Sequence, residues 1–227
     1  LGNRRPDGTF FPPTGNPSSP FGFPPAAFGS IIIGTNGLET SADSAYLKLD
    51  KRYTPSSPWS FNATYTYTEA EENRQFGEVF SLDFPSTEDY PVVRSTGVRK
   101  HRLVMAGTVD IPWGFTLSGK FQIASPRYLN SFTFVQGDPF SRDIDSVETD
   151  GNGDRWGYRQ ADLSVTKYFG LPFLTDESQI WVRVDVINLF NDRNYNSFSA
   201  TTGLRNPNNL NIDGDPRTVK LSTGFRF

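Results

Sequence analysis

The segment Thr218-Val-Lys-Leu-Ser-Thr-Gly-Phe-Arg-Phe227 alternates without a break: Val219, Leu221, Thr223, Phe225 and Phe227 hold one parity, Thr218, Lys220, Ser222, Gly224 and Arg226 the other. Successive side chains of a strand point to opposite faces, so the segment reads as a strand with one apolar and one polar face. It stops on Phe227, a large apolar side chain at a position that in soluble proteins usually frays into water. A strand that meets lipid wants an aromatic at the interface, so this ending predicts a transmembrane β-barrel strand.

Composition agrees with that expectation. No run of eighteen apolar residues exists, so no membrane helix is expected. Barrel strands carry their hydrophobicity at every second residue, which leaves a polar average such as the mean hydropathy of -0.48. Aromatic residues make up 15% of the 227 residues, a surplus that interfacial girdles would use. A net charge of -3 gives no nucleic-acid footprint, and the absence of Cys removes disulfides and thiolate metal sites. Leu1-Gly-Asn-Arg-Arg-Pro6 lacks a Met and leads into no apolar stretch of signal-peptide type, so a signal peptide is either removed or the sequence begins in mid-protein.

Six further segments alternate like the last. Trp59, Phe61, Ala63, Tyr65 and Tyr67 interleave with Ser60, Asn62, Thr64, Thr66 and Thr68. Phe115, Leu117, Gly119, Phe121 and Ile123 interleave with Thr116, Ser118, Lys120, Gln122 and Ala124. The others centre on Ala45, Leu47, Leu49; on Leu103, Met105, Val109; on Ala161, Leu163, Val165; and on Ile180, Val182, Val184, Val186. At about nine to twelve residues each, they have the length of tilted membrane strands. The expected fold is all-β: a transmembrane antiparallel β-barrel segment of about seven strands.

Connections alternate in length. Thr54 to Pro58, Ile111 to Gly114 and Gly170 to Ser178 are short, whereas 69–99, 125–157 and 191–217 are long. Outer-membrane barrels place long loops outside and short turns in the periplasm. This orientation makes 1–44 an extracellular Pro/Gly-rich loop region and 45–227 the strands with their long extracellular loops. Closed bacterial barrels have an even strand count, so seven strands predict a C-terminal piece of a larger barrel.

From about Phe28 onward the chain resembles the C-terminal barrel portion of TonB-dependent outer-membrane receptors, most closely the Oar-like group with a carboxypeptidase-regulatory-like domain. The stretches that carry the resemblance are Tyr46-Leu-Lys-Leu-Asp-Lys-Arg-Tyr53, Trp59-Ser-Phe-Asn-Ala-Thr-Tyr-Thr-Tyr67, His101-Arg-Leu-Val104 and Ile111-Pro-Trp-Gly-Phe115. Asp150-Gly-Asn-Gly-Asp-Arg155, Val186-Ile-Asn-Leu-Phe-Asn191 with Tyr195, and Gly214-Asp-Pro-Arg-Thr-Val219 follow in order. The resemblance implies a barrel of about 22 strands, plugged by an N-terminal domain and energised by TonB. It implies the C-terminal segment of a nutrient transporter (siderophore, glycan or peptide) in the bacterial outer membrane, with plug and TonB box outside this sequence. It also implies that Val219, Leu221, Phe225 and Phe227 serve as the signal read by the barrel-assembly machinery. The implied partners are outer-membrane lipid and lipopolysaccharide, the missing barrel strands and plug, and TonB through the missing part. A structural or adhesive outer-membrane surface protein, binding a partner through its long loops, is the alternative.

Asp150, Asn152 and Asp154, spaced by Gly151 and Gly153, could converge on calcium, or could form a solvated turn. The segment from Glu69 to Arg99 carries Glu69, Glu71, Glu72, Glu78, Asp83, Glu88 and Asp89, an acidic face suited to cations or simply to solubility. The polar parity collects Lys48, Lys120, Arg183 and Lys220 with Asp50, Asp110, Asp162 and Asp185, as a water-facing side requires. Lys51 and Arg159 fall on the apolar parity, where a charge costs about 2–4 kcal/mol at the membrane midplane, so both are expected near interfaces. Loop aromatics such as Phe10, Phe21, Tyr128 and Phe140 are expected to pack the loops. His101, the lone histidine, has no partner set for a triad or a metal, so no enzyme is expected.

Overall fold

The computed structural model describes residues 39–73, 91–134, 142–150, 156–173, 178–209 and 211–227. The long alternating segments become strands β1 (Thr40–Lys51), β2 (Trp59–Glu72), β4 (His101–Ile111), β5 (Phe115–Ala124), β8 (Tyr158–Gly170), β9 (Gln179–Ile187) and β12 (Thr218–Arg226). These seven form one antiparallel sheet in the order β1-β2-β4-β5-β8-β9-β12. A two-residue strand, β3 (Val93–Arg94), pairs antiparallel with the C-terminal end of β2. Two small hairpins stand apart: β6 (Tyr128–Phe134) with β7 (Arg142–Glu148), and β10 (Asn194–Tyr195) with β11 (Ile212–Asp213).

Register carries the period-two pattern across the whole sheet. One level reads Lys51, Phe61, Gly107, Gly119, Leu163, Val186, Val219, and the next Trp59, Val109, Leu117, Val165, Val184, Leu221. The residues between them, on the opposite face, are Ser60, Thr108, Ser118, Ser164, Asp185 and Lys220. Since directly opposed residues share a face, the sheet has one apolar and one polar side from edge to edge.

Among the described residues no second layer covers either side. The buried apolar residues among those described are four alanines, Ala63, Ala70, Ala124 and Ala161, while Leu221 is 74% and Phe227 89% exposed. A soluble sheet would pack its large apolar side chains against a second layer, and here they stand open.

The sheet does not close. β1 pairs with β2 and β12 with β9, and no ladder joins β1 to β12. The expected transmembrane β-barrel segment is therefore corrected to an open, mostly antiparallel sheet that is not barrel-shaped. The reading as a barrel segment of a TonB-dependent transporter loses its structural basis with it. The physical reason is plain: alternation specifies which face each side chain takes, whereas closure depends on pairing between the two edges, which no period in the sequence encodes.

Strand limits differ from the alternation at the loop end. β1 starts at Thr40 rather than Ala45, and β2 runs on to Glu72, because ladder bonds continue where polarity contrast has faded. Most of 1–44 lies outside the described residues.

Candidate functional site

The strand ends that lead into the long connections lie at one end of the sheet and those that lead into the short turns at the other, so the described residues present a polar loop end, an apolar face and a turn-end rim. At the loop end, Glu69 receives hydrogen bonds from Tyr67 Oη (2.9 Å) and Lys100 Nζ (3.3 Å), with Arg94 Nη1 also at 3.3 Å. These contacts lower the Glu69 pKa, the Tyr67 bond most, then Lys100. Tyr67 and Glu69 raise that of Lys100. His101 lies between two rings: Tyr65 Oη is 2.8 Å from its Nδ1, and Tyr67 meets it edge-on. Glu72, on the acidic segment, is buried and accepts the Thr96 amide at 3.3 Å.

The connection 191–217 is fastened by a knot of amides and carboxylates. Asn188, fully buried, donates through Nδ2 to the carbonyls of Asp192 (2.9 Å) and Asp215 (3.0 Å) and accepts the Asp192 amide on Oδ1 (2.8 Å). Its φ of 53° lies in the left-handed region that Asn tolerates better than most residues. Arg159 pairs with Asp192 at 2.6 Å, and its backbone is gripped by the side chain of Asn194, also buried. Arg99 donates to the Ser125 carbonyl at 2.9 Å, and burial, followed by the charge of Arg127, lowers its pKa.

At the turn end the apolar face is rimmed by rings and lysines. Lys51 Nζ sits 4.1 Å from the Trp59 ring, and Lys167 Nζ lies 4.5 Å from Phe115 and 5.5 Å from Phe169. Trp113, in the 3-10 turn Pro112–Gly114, has a φ of 65° and is 83% exposed. Phe225 and Phe227 stack at 5.6 Å. On the polar side of the rim, Asp110 accepts from Thr116 and Tyr53, both at 2.6 Å, and these bonds, that of Thr116 most, lower its pKa.

The residues singled out in the sequence fall unevenly. Val219, Leu221 and Phe225 stand exposed on the edge strand β12, and Phe227 is exposed one residue past its end. Asp150 Oδ1 is buried without a partner, but Asn152 and Asp154 lie outside the described residues. Among the described residues no group of three or more His, Cys, Asp or Glu could hold a metal. Glu78, Asp83, Glu88, Asp89, Phe10, Phe21 and Phe140 also lie outside them; Tyr128 packs under Arg94 at 4.9 Å. Lys51 sits near the turn end, and Arg159 near the loop end, where Asp192 neutralises it. Lys167 escapes the sequence reading because the apolar series Ala161, Leu163, Val165 is broken off one step early. Asn188 escapes because a buried amide leaves no periodic signal.

These features define an open amphipathic β-sheet with a fastened loop end. No family model matches the chain, and no curated protein matches it. Among solved structures, the outer membrane transporter YddB from Escherichia coli aligns with 83% of this chain at 11% identity and a TM-score of 0.48. The chain spans 25% of the length of that protein.

Proposed function

We propose that this chain is a structural, non-catalytic β-sheet of the bacterial outer membrane, whose apolar face rests against lipid and whose loop end faces the aqueous side. The observation that carries the reading is the uncovered apolar face: Leu47, Leu49, Val184, Val219, Leu221 and Phe225 are all exposed, on one parity and in register. Water is a poor neighbour for such a surface, and each large side chain transferred to lipid contributes roughly 1.5–3 kcal/mol. The opposite face carries Lys120, Asp162, Arg183, Asp185 and Lys220 around a shallow depression of about 410 Å³, which suits water. The outer edges of β1 and β12 are unpaired within the described sheet, and in lipid their backbone groups need further strands, so the sheet works beside other polypeptide.

Flotation with phosphatidylcholine vesicles tests this. The wild-type chain is expected to float, Ser164→Asp to float with it, and the double variant Leu163→Asp/Val184→Asp to remain in solution. Equal flotation of the two variants, with unchanged circular dichroism, overturns the reading.

A further inference from the structure

A lipid-facing surface has no use for bare charge, yet Lys51 and Lys167 both stand on the apolar face, at the turn end. Lys51 Nζ donates to the backbone oxygens of Arg52 and Trp59, each at 3.0 Å, from above the Trp59 ring. Lys167 Nζ sits between Phe115 and Phe169. Among the described residues neither amine has a carboxylate at ion-pairing distance. The loop end of the same face is different: Arg159 is answered by Asp192, and Asp43 stands opposite Glu69. Among the described residues, uncompensated positive charge on the apolar surface thus lies at its turn end.

The surroundings say what would answer it. An ammonium has three donors, and ring faces satisfy its charge only in part. A lysine stem laid on aromatic rings carries its head toward the membrane interface, where an anionic headgroup supplies both charge and acceptors. The exposed Trp113 marks the same level, since a Cβ on its neighbour Gly114 would lie 3.6 Å from Lys167 Nζ. Four residues along β5 from Phe115, about 14 Å at the rise of a strand, Gly119 stands opposite Gly107. With no side chains there, the apolar face dips into a depression of about 340 Å³ between Phe61, Val109, Leu117 and Leu163. A protein strand would need a hydrogen-bonding edge to settle there, and a sheet face has none; a hydrocarbon chain needs only the dip.

Resting on the lipid-facing reading, we propose that Lys51 and Lys167, four strands apart in the sheet, each bind the phosphate of an anionic glycerophospholipid, and that an acyl chain of the lipid held at Lys167 lies over Gly119 and Gly107. Phosphatidylglycerol is the probe. Flotation is measured with vesicles of phosphatidylcholine alone, of phosphatidylcholine and phosphatidylglycerol in equal parts, and of phosphatidylcholine with lipid A. The wild type is expected to prefer the phosphatidylglycerol vesicles, and the preference is expected to shrink in high salt. Lys51→Gln/Lys167→Gln loses about fivefold of it per lysine, the equivalent of ~1 kcal/mol each, with binding to phosphatidylcholine unchanged. Lys51→Arg/Lys167→Arg keeps it. A glutamine double variant with undiminished preference overturns the proposal, as does a stronger preference for lipid A. A wild type that floats with no vesicle overturns the lipid-facing reading itself, a result distinct from loss of headgroup preference alone.

Discussion

Replacing Asn188 with Ala removes three hydrogen bonds at once and leaves the Asp192 amide and the carbonyls of Asp192 and Asp215 without their partner. A buried polar group left unpaired costs about 1–3 kcal/mol. Water reaches this margin of the sheet and recovers part of that, so the three together come to roughly 3 kcal/mol. Asn188 also has a φ of 53°, where a Cβ other than that of Asn or Asp adds about 1 kcal/mol. The Ala variant should therefore loosen the connection 191–217 by roughly 4 kcal/mol, and Asn188→Gly, which escapes the backbone term, by roughly 3. Amide hydrogen exchange reads this directly. The Asp192 amide should exchange on the order of a thousandfold faster in the Ala variant and several-fold slower than that in the Gly variant. The Met105 amide, at the centre of β4, should be unchanged. Wild-type protection of Asp192 in the Ala variant would refute the knot as the fastener of this loop.

The Glu69–Lys100 contact gives a pH dependence with two limbs. Glu69 has its folded pKa below the ordinary 4.5, so its contribution is present above that value and is lost as pH falls through the lowered one. Lys100 has its pKa raised above 10.5, so its contribution holds below 10.5 and is lost as pH rises through the raised value. The Tyr67 ring resonances should shift at the acid limit and stay flat from there to neutral pH, and the Lys100 side-chain methylene resonances should shift at the alkaline limit; Glu69→Gln should abolish the acid limb, and its persistence would point to another group. Gly157→Ala should cost about 2–3 kcal/mol in denaturant unfolding, since its Cβ would lie 2.5 Å from Pro126 Cα and from the Ser125 carbonyl, both backbone. Gly119→Ala should stay within about 0.5 kcal/mol, because the nearest atom, the Asp162 carbonyl oxygen, is at an ordinary 3.6 Å.

The faces of the sheet were legible because side-chain alternation is a local property: Trp59 to Thr68 and Phe115 to Ala124 sort themselves by parity before any pairing is known. The short turns at Thr54–Pro58 and Ile111–Gly114 were legible from Pro and Gly between alternating runs. Hairpin β6–β7 was not, because Tyr128–Phe134 and Arg142–Glu148 lie within a connection read as one long loop. Nor was the lack of closure, which depends on contacts between residues nearly two hundred positions apart. The loop-end knot was hidden for another reason. Val186-Ile-Asn-Leu-Phe-Asn191 drew notice as a motif, but that Asn188 would be buried beneath Asp192 and Asp215 depends on how 191–217 returns to the sheet. Lys167 shows the converse, a residue whose parity was readable and whose ring cradle was not.

The central claim is that one face of this sheet meets lipid and the other water. Nitroxide labels placed one at a time at Leu163 and Ser164, adjacent on β8 and on opposite faces, test it in vesicles containing the chain. Dissolved oxygen, enriched in hydrocarbon, should relax the Leu163 label most, and a water-soluble nickel chelate the Ser164 label. Equal access of the nickel chelate to both positions would contradict the account.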